Sequence, residues 1–383
     1  MPKNKNPLFY YAMGLHMHQP PDNLKLLIEH NEWEAQQIIK CYERAARYAH
    51  KYPKESFQVD FSGILLEQFL DPYIVDKYRK FVDIPRMLDD YRSAKNIEII
   101  GMGYYHPIFP LIPKEDWPEQ LEKGKAVCEK AFGRPPKGFW PSEMAFCMEM
   151  IPALVKAGYE FVVVDHVHVR SESGEALDPF QVYTAEYNGA RITVIPRNRD
   201  LSNAQESGLN PEWFLNETRQ KLGASAGKGT RLVTTWSDGE NGGWFRQMDD
   251  NSGFFGYFWA PMVEKIKDKS ANIVTVKLSE YIKNNPPAGK AKVNTGAWNV
   301  ATTSGYDFAQ WNGSESQKKA IEELCRTSKR YWELSGAAGG KNQNLTKARQ
   351  AILDAETSCY LFWGEAWLPK LYEKLDQAKQ LLK

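Results

Sequence analysis

Short apolar runs alternate with amphipathic helical stretches through the first three quarters of the chain. The apolar runs Leu8–Leu15, Ser56–Phe61, Ile97–Gly101, Gly138–Phe139, Phe161–Val164, Ile192–Ile195, Arg231–Thr235 and Ile273–Val276 have the length and β-branched content of strands. Between them fall stretches such as "EAQQIIKCYERAARYAHKY", in which Ile38, Ile39, Tyr42, Ala46 and Ala49 share one helical face. Strands that each need a crossover helix pair in parallel, so this order predicts β/α units around a parallel sheet, most simply a barrel or near-barrel. In such folds chemistry gathers at the C-terminal ends of the strands.

The pattern changes at "NNPPAGKAK", where Pro-Pro-Ala-Gly punctuates the chain. Beyond Ser316 helix dominates, with Leu368, Leu371, Leu375, Ala378 and Leu382 at three- and four-residue spacing. The expected division is a barrel over residues 1–285 and a mainly helical region over 286–383. With 49 basic and 48 acidic residues the net charge is +1, so no global field recruits nucleic acid or an anionic membrane. No apolar run approaches the roughly 18 residues that a membrane span needs. "MPKNKNPLFYYAMGLHMHQP" reads as a first strand, since its short apolar stretch is broken by histidines and lacks a cleavage site. The five cysteines are scattered without C-x-x-C spacing, which predicts neither a disulfide framework nor a zinc site and fits a reducing cytoplasm. Aromatic residues, 12 Trp, 19 Tyr and 18 Phe, make up 13% of the chain; they serve either as large core side chains or as faces for sugar rings.

Polar clusters stand where the strands should end. "GLHMHQP" puts His16 and His18 on one side of an extended chain, with Gln19 and Pro20 closing it. "GMGYYHPI" follows the third strand with Tyr104 and His106, and "GFWPSEMAF" follows the fourth with Trp140 and Glu143. "VVVDHVHV" offers Asp165, and "VIPRNRDLS" offers Arg197 and Arg199. "TTWSDGENGGW" then sets Trp236, Asp238, Glu240 and Trp244 on a glycine-rich turn. A carboxylate here either faces water on a turn that needs glycine, or is presented at the rim of a sheet to do chemistry.

"HMHQP", "GMGYYHPI", "WPSEMAF" and "WSDGENGG", in this order, resemble the sequence regions of glycoside hydrolase family 57, and the likeness extends through "NTGAWNV…DFAQW" to "AETSCYLFWGEAW". The resemblance implies an α/β fold, an incomplete (β/α)7 TIM-like barrel followed by a helical C-terminal domain, and a retaining mechanism on α-linked sugars with no metal or other cofactor. Matched motif by motif, it implies Glu143 as nucleophile and Asp238 as general acid/base. The chain departs from the family where an aromatic often stands at Gly242, and it is too short for the large β-rich C-terminal domain of the glucanotransferases.

Retaining hydrolysis needs two carboxyls about 5–5.5 Å apart, one ionised to attack and one protonated to give its proton to the leaving oxygen. Gly239, Gly242 and Gly243 are expected to let the backbone turn sharply and hold Asp238 over the glycosidic oxygen, with Glu240 in a supporting or turn role. His16, His18, Gln19, Tyr104, His106 and Asp165 are expected to bind sugar hydroxyls, Trp140, Trp236 and Trp244 to stack on rings, and Arg199 or Arg197 to orient a carboxylate. The expected substrate is an α-linked oligo- or polysaccharide such as starch or glycogen. The competing readings are an α-galactosidase of the same family and a metal-dependent polysaccharide deacetylase, whose ligands would come from His16, His18, His106 and Asp165.

Overall fold

The structure is a computed structural model that describes residues 7–225, 229–240, 242–247, 251–298, 308–337 and 342–383. Its strands are β1 (Phe9–Met17), β2 (Phe57–Phe61), β3 (Ile97–Ile100), β4 (Gly138–Phe139), β5 (Phe161–Asp165), β6 (Val169–Arg170), β7 (Tyr183–Tyr187), β8 (Ala190–Arg197), β9 (Leu232–Asp238), β10 (Ile273–Thr275) and β11 (Lys292–Val293). Every expected strand is present. β1, β8 and β9 run further than expected, so His16, Arg197 and Asp238 lie within strands and not after them. The unforeseen β7 forms an antiparallel hairpin with β8 about Asn188 and Gly189, both at positive φ (48° and 78°). Asn-Gly is the favoured pair for such a turn.

β1 lies between β9 on one side and β2 on the other, with β10 beside its first residues, and β3 continues outward from β2. A second sheet runs β4-β5-β8-β7. Two narrow seams join the sheets. At one, Gly101 N–H donates to Gly138 O at 2.9 Å and Trp140 N–H to Gly101 O at 2.8 Å; at the other, Asn198 N–H donates to Thr234 O at 2.8 Å. The parallel strands β1, β2, β3, β4, β5, β8 and β9 thereby close a ring. All residues of β1 except Tyr10 are buried, as in a strand covered on both faces.

Outside the ring, the helix Glu32–Lys51 buries Ile38, Ile39, Tyr42, Ala46 and Ala49, the face its spacing predicts. Inside, Trp140 and Trp236 stack with centroids 4.6 Å apart and are wholly buried. Gly14 makes room for them, because a Cβ at that position would collide with the Trp236 ring. The helices Glu315–Ala337, Gln343–Ala355 and Leu368–Leu381 pack together, and Leu371, Leu375 and Ala378 share one hydrophobic cluster with Phe139, Val162 and Val194 of the second sheet. Buried Arg349, at 2.6 Å from both Asp116 and Glu119, ties these helices to the helix Trp117–Phe132. The C-terminal helices are thus fixed against the barrel, and the short helices Ser358–Phe362 and Gly364–Ala366 stand by the strand ends.

Candidate active site

Register builds the site. His16 on β1 pairs with Asp60 on β2 and with Asp238 on β9, so the three residues form one row across adjacent strands at their C-terminal ends. Two residues on, His18 follows on the same side. A cleft of about 490 Å3 opens over this row. His16, His18, Gln19, Glu143, Asp238 and Glu240 line it from the barrel, Trp298 from the segment after β11, and Phe362, Trp363 and Trp367 from the C-terminal helical region.

Glu143 stands on a short 3₁₀ turn after β4 with φ 56° and ψ 18°, a left-handed conformation uncommon for a residue with a side chain. Such strain persists only where surrounding structure imposes it, and it gathers at functional positions. Here Trp298 grips the residue twice: its indole N–H donates to Glu143 Oε2 at 2.7 Å and its backbone N–H to Glu143 O at 2.9 Å. Burial pushes the Glu143 carboxyl up to about 7; His16 and the Trp298 bond favour its ionisation, and the nearby Asp238 opposes it.

Beneath Glu143 the histidines form a chain. His16 Nδ1 lies 2.5 Å from Asp60 Oδ1, and Trp236 Nε1 donates to Asp60 Oδ2 at 2.7 Å. Burial disfavours charge on His16, but Asp60, with Asp238 and Glu240 behind it, outweighs burial and the imidazole is raised to about 9. His16 Nε2 is 3.2 Å from His106 Nε2, and His106 Nδ1 is 2.7 Å from Ser358 Oγ. Burial, then the histidine neighbours, drive His106 well below the ordinary imidazole value. Protons therefore follow from the partners: His16 carries both and donates to Asp60 and to His106 Nε2, while neutral His106 donates from Nδ1 to Ser358. His18, also held neutral by burial and by the charge on His16, meets Ser62 Oγ at 2.8 Å and Cys359 Sγ at 3.1 Å.

Several expected contacts move to supporting positions. Trp140 and Trp236 offer no face to a sugar, because each fills the barrel interior at 0% exposure. Asp165 is likewise fully buried. Arg199 Nε sits 2.8 Å and Arg197 Nη1 3.4 Å from its Oδ2; these cations and His166 outweigh burial and hold the carboxyl well below its usual range. Its charge is spent inside this ion cluster, outside the cleft lining. Arg197 then lies 5.5 Å under the Trp298 ring, so the cluster supports the residue that grips Glu143. His106 is wholly buried with both nitrogens engaged, and Tyr104 packs on Tyr105 away from the cleft lining. The side chain of Trp244 and Asn241 lie outside the described residues.

The turn chemistry also differs. Gly239 lacks a positive φ, and a Cβ there would press on the movable thioether end of Met17, whereas a Cβ on Gly243 would meet nothing. The left-handed position belongs to Glu143 itself. Glu240 lines the cleft at 3% exposure, and burial followed by Asp238 drives its carboxyl well above the ordinary value. Asp60 was hidden in "FQVDF", where an acid inside an apolar strand was the available signal, and the aromatic density of "LFWGEAW" marked the wall opposite.

The profile of Glycosyl hydrolase family 57 matches residues 11–294. The chain belongs to this family. It is 26% identical over 327 residues to Alpha-amylase 1 of Dictyoglomus thermophilum, covering 84% of this chain and 43% of that protein. It is 32% identical over 191 residues to 4-alpha-glucanotransferase of Thermococcus litoralis, covering 50% and 27%. The chain thus spans less than half the length of these curated relatives. Its fold is that of a GH57-type branching enzyme from Pyrococcus horikoshii, with a TM-score of 0.73 at 17% identity, covering 98% of this chain and 88% of that one.

Proposed function

We propose that the protein is a retaining glycoside hydrolase or transglycosylase acting on α-linked glucans. The observation that carries this reading is Glu143, strained, indole-bound and faced by a charged histidine, in one cleft with Asp238. Glu143 attacks the anomeric carbon while Asp238 protonates the departing glycosidic oxygen; the bond to that oxygen breaks and a glycosyl–Glu143 ester forms. Asp238 then takes a proton from water or from a sugar hydroxyl, which attacks the same carbon and releases Glu143. His16, His18 and Gln19 form the barrel-side wall of the cleft, against which the sugar lies. Phe362 and Trp363, 46% and 55% exposed, take the stacking role that the buried tryptophans cannot fill.

The deacetylase reading lacks a ligand set: among the described residues no three His, Cys, Asp or Glu side chains are arranged to hold a metal ion. The free thiols of all five cysteines support a reducing compartment, the cytoplasm. The test is product analysis after incubation with maltoheptaose, amylopectin and an aryl α-galactoside. Shorter maltooligosaccharides alone mean hydrolysis, and a ladder extending both below and above seven glucose units means transglycosylation. Release from the galactoside alone would overturn the glucan assignment.

A further inference from the structure

A cleft lined by Glu143, Asp238 and Glu240 concentrates carboxyl groups, yet the proposed reaction needs one of them ionised to attack. The cation beneath them is His16, and its position is fixed from below. Asp60 bonds its Nδ1 at 2.5 Å, is itself held by the Trp236 indole at 2.7 Å, and is wholly buried. On its other edge His16 meets His106, whose Nδ1 lies 3.9 Å from Glu143 Oε1. The titratable groups facing His16 are Asp60 from β2, His18 from its own strand, His106 from the turn after β3, Glu143 from the turn after β4, and Asp238 and Glu240 from the end of β9.

We propose that Asp60 is a positioning residue for the reaction: it fixes His16 as an imidazolium whose charge faces Glu143 and keeps that carboxylate ready to attack. The proposal rests on the reading of Glu143 as nucleophile. Burial favours a neutral His16; Asp60, through its charge and its bond, is the largest of the influences that reverse that preference, and Asp238 and Glu240 add to it. Without the Asp60 charge, His16 gives up its proton at lower pH, and Glu143 then keeps only the Trp298 bond against the pull of burial and of Asp238. Glu143 then ionises at higher pH. A residue that merely packed the barrel would lower the rate evenly at all pH values.

The test is the pH dependence of kcat/KM on maltoheptaose for the full chain, its Asp60→Asn and His16→Gln variants and the double variant, together with a ¹⁵N NMR titration of His16. In the wild type His16 remains doubly protonated until pH approaches about 9. In Asp60→Asn that proton is lost at lower pH, and the acid limb of the rate profile moves up by about one unit, a further loss of about tenfold on the acid side. His16→Gln shows the same displacement, and the double variant adds none. A rate loss with an unmoved acid limb, or a wild-type His16 that is neutral at pH 7, overturns the proposal. Should Asp60→Asn not fold, His16→Gln and the wild-type titration decide it. Failure of the nucleophile reading is separate, since Glu143→Ala would then give no β-configured glycosyl azide with added azide, whatever the state of His16.

Discussion

Trp298 and Glu143 are joined at both ends of their residues, indole to carboxylate at 2.7 Å and amide to carbonyl at 2.9 Å. The paired bonds fix a left-handed glutamate and aim one oxygen, leaving Oε1 for the cleft. A bond to a charged acceptor contributes about 1.5–3 kcal/mol. Trp298→Phe, which keeps the ring and the backbone bond, is expected to lower kcat/KM by about tenfold to hundredfold and to move its acid limb upward. A pH-resolved kinetic series on the purified variant measures both.

Glu143 also weakens the fold. Its carboxyl rises from 4.5 to about 7 on folding, so the folded state holds a proton that the unfolded state has lost across this window. Stability contributed by that proton is full below pH 4.5 and falls as pH rises through 7, by at most about 3 kcal/mol. Glu143→Gln is therefore expected to match the wild type near pH 4.5 and to exceed it in denaturant unfolding at pH 8.

The aromatic wall makes a prediction about chain length. Phe362 and Trp363 meet at 5.3 Å in an edge arrangement, and Trp363 and Trp367 lie 6.2 Å apart. Stacking on an exposed ring is worth about 0.5–1.5 kcal/mol. Trp363→Ala is expected to raise KM for long maltooligosaccharides several-fold while leaving an aryl α-glucoside nearly unaffected, as steady-state kinetics on the two substrates will report.

The imidazole nitrogens of the site are committed to Asp60, Ser62, Cys359, Ser358 and one another. Prolonged chelation with EDTA is expected to change activity by no more than a factor of about two. A catalytic zinc would be worth several kcal/mol, so silencing by EDTA with recovery on zinc addition would favour the deacetylase reading.

The barrel was legible because short apolar, β-branched runs alternate with amphipathic helical stretches, an order that calls for parallel strands with crossover helices. The strand-end histidines and carboxyls could be located for the same reason. Their roles were less legible. Asp165 looks like a binding group in sequence because nothing local says that the carboxylate the two arginines orient is Asp165 itself. Trp140 and Trp236 look like sugar platforms until Gly14 is seen to admit the second ring. Asp60, Trp298 and the 362–367 aromatics come from distant segments and join the cleft only through sheet register and the docking of the C-terminal helices. Asn188-Gly189 is the opposite case, a hairpin signal in plain view between β7 and β8.

The most direct measurement is azide rescue of two variants on an activated aryl α-glucoside. If Glu143 is the nucleophile and Asp238 the acid/base, Glu143→Ala is nearly inactive and azide restores turnover from the opposite face, giving a β-glucosyl azide. Asp238→Ala forms the ester on Glu143, and azide resolves it with net retention to an α-glucosyl azide. Exchange of the two anomers between the variants, or near wild-type activity of Glu143→Ala without azide, would contradict the assignment.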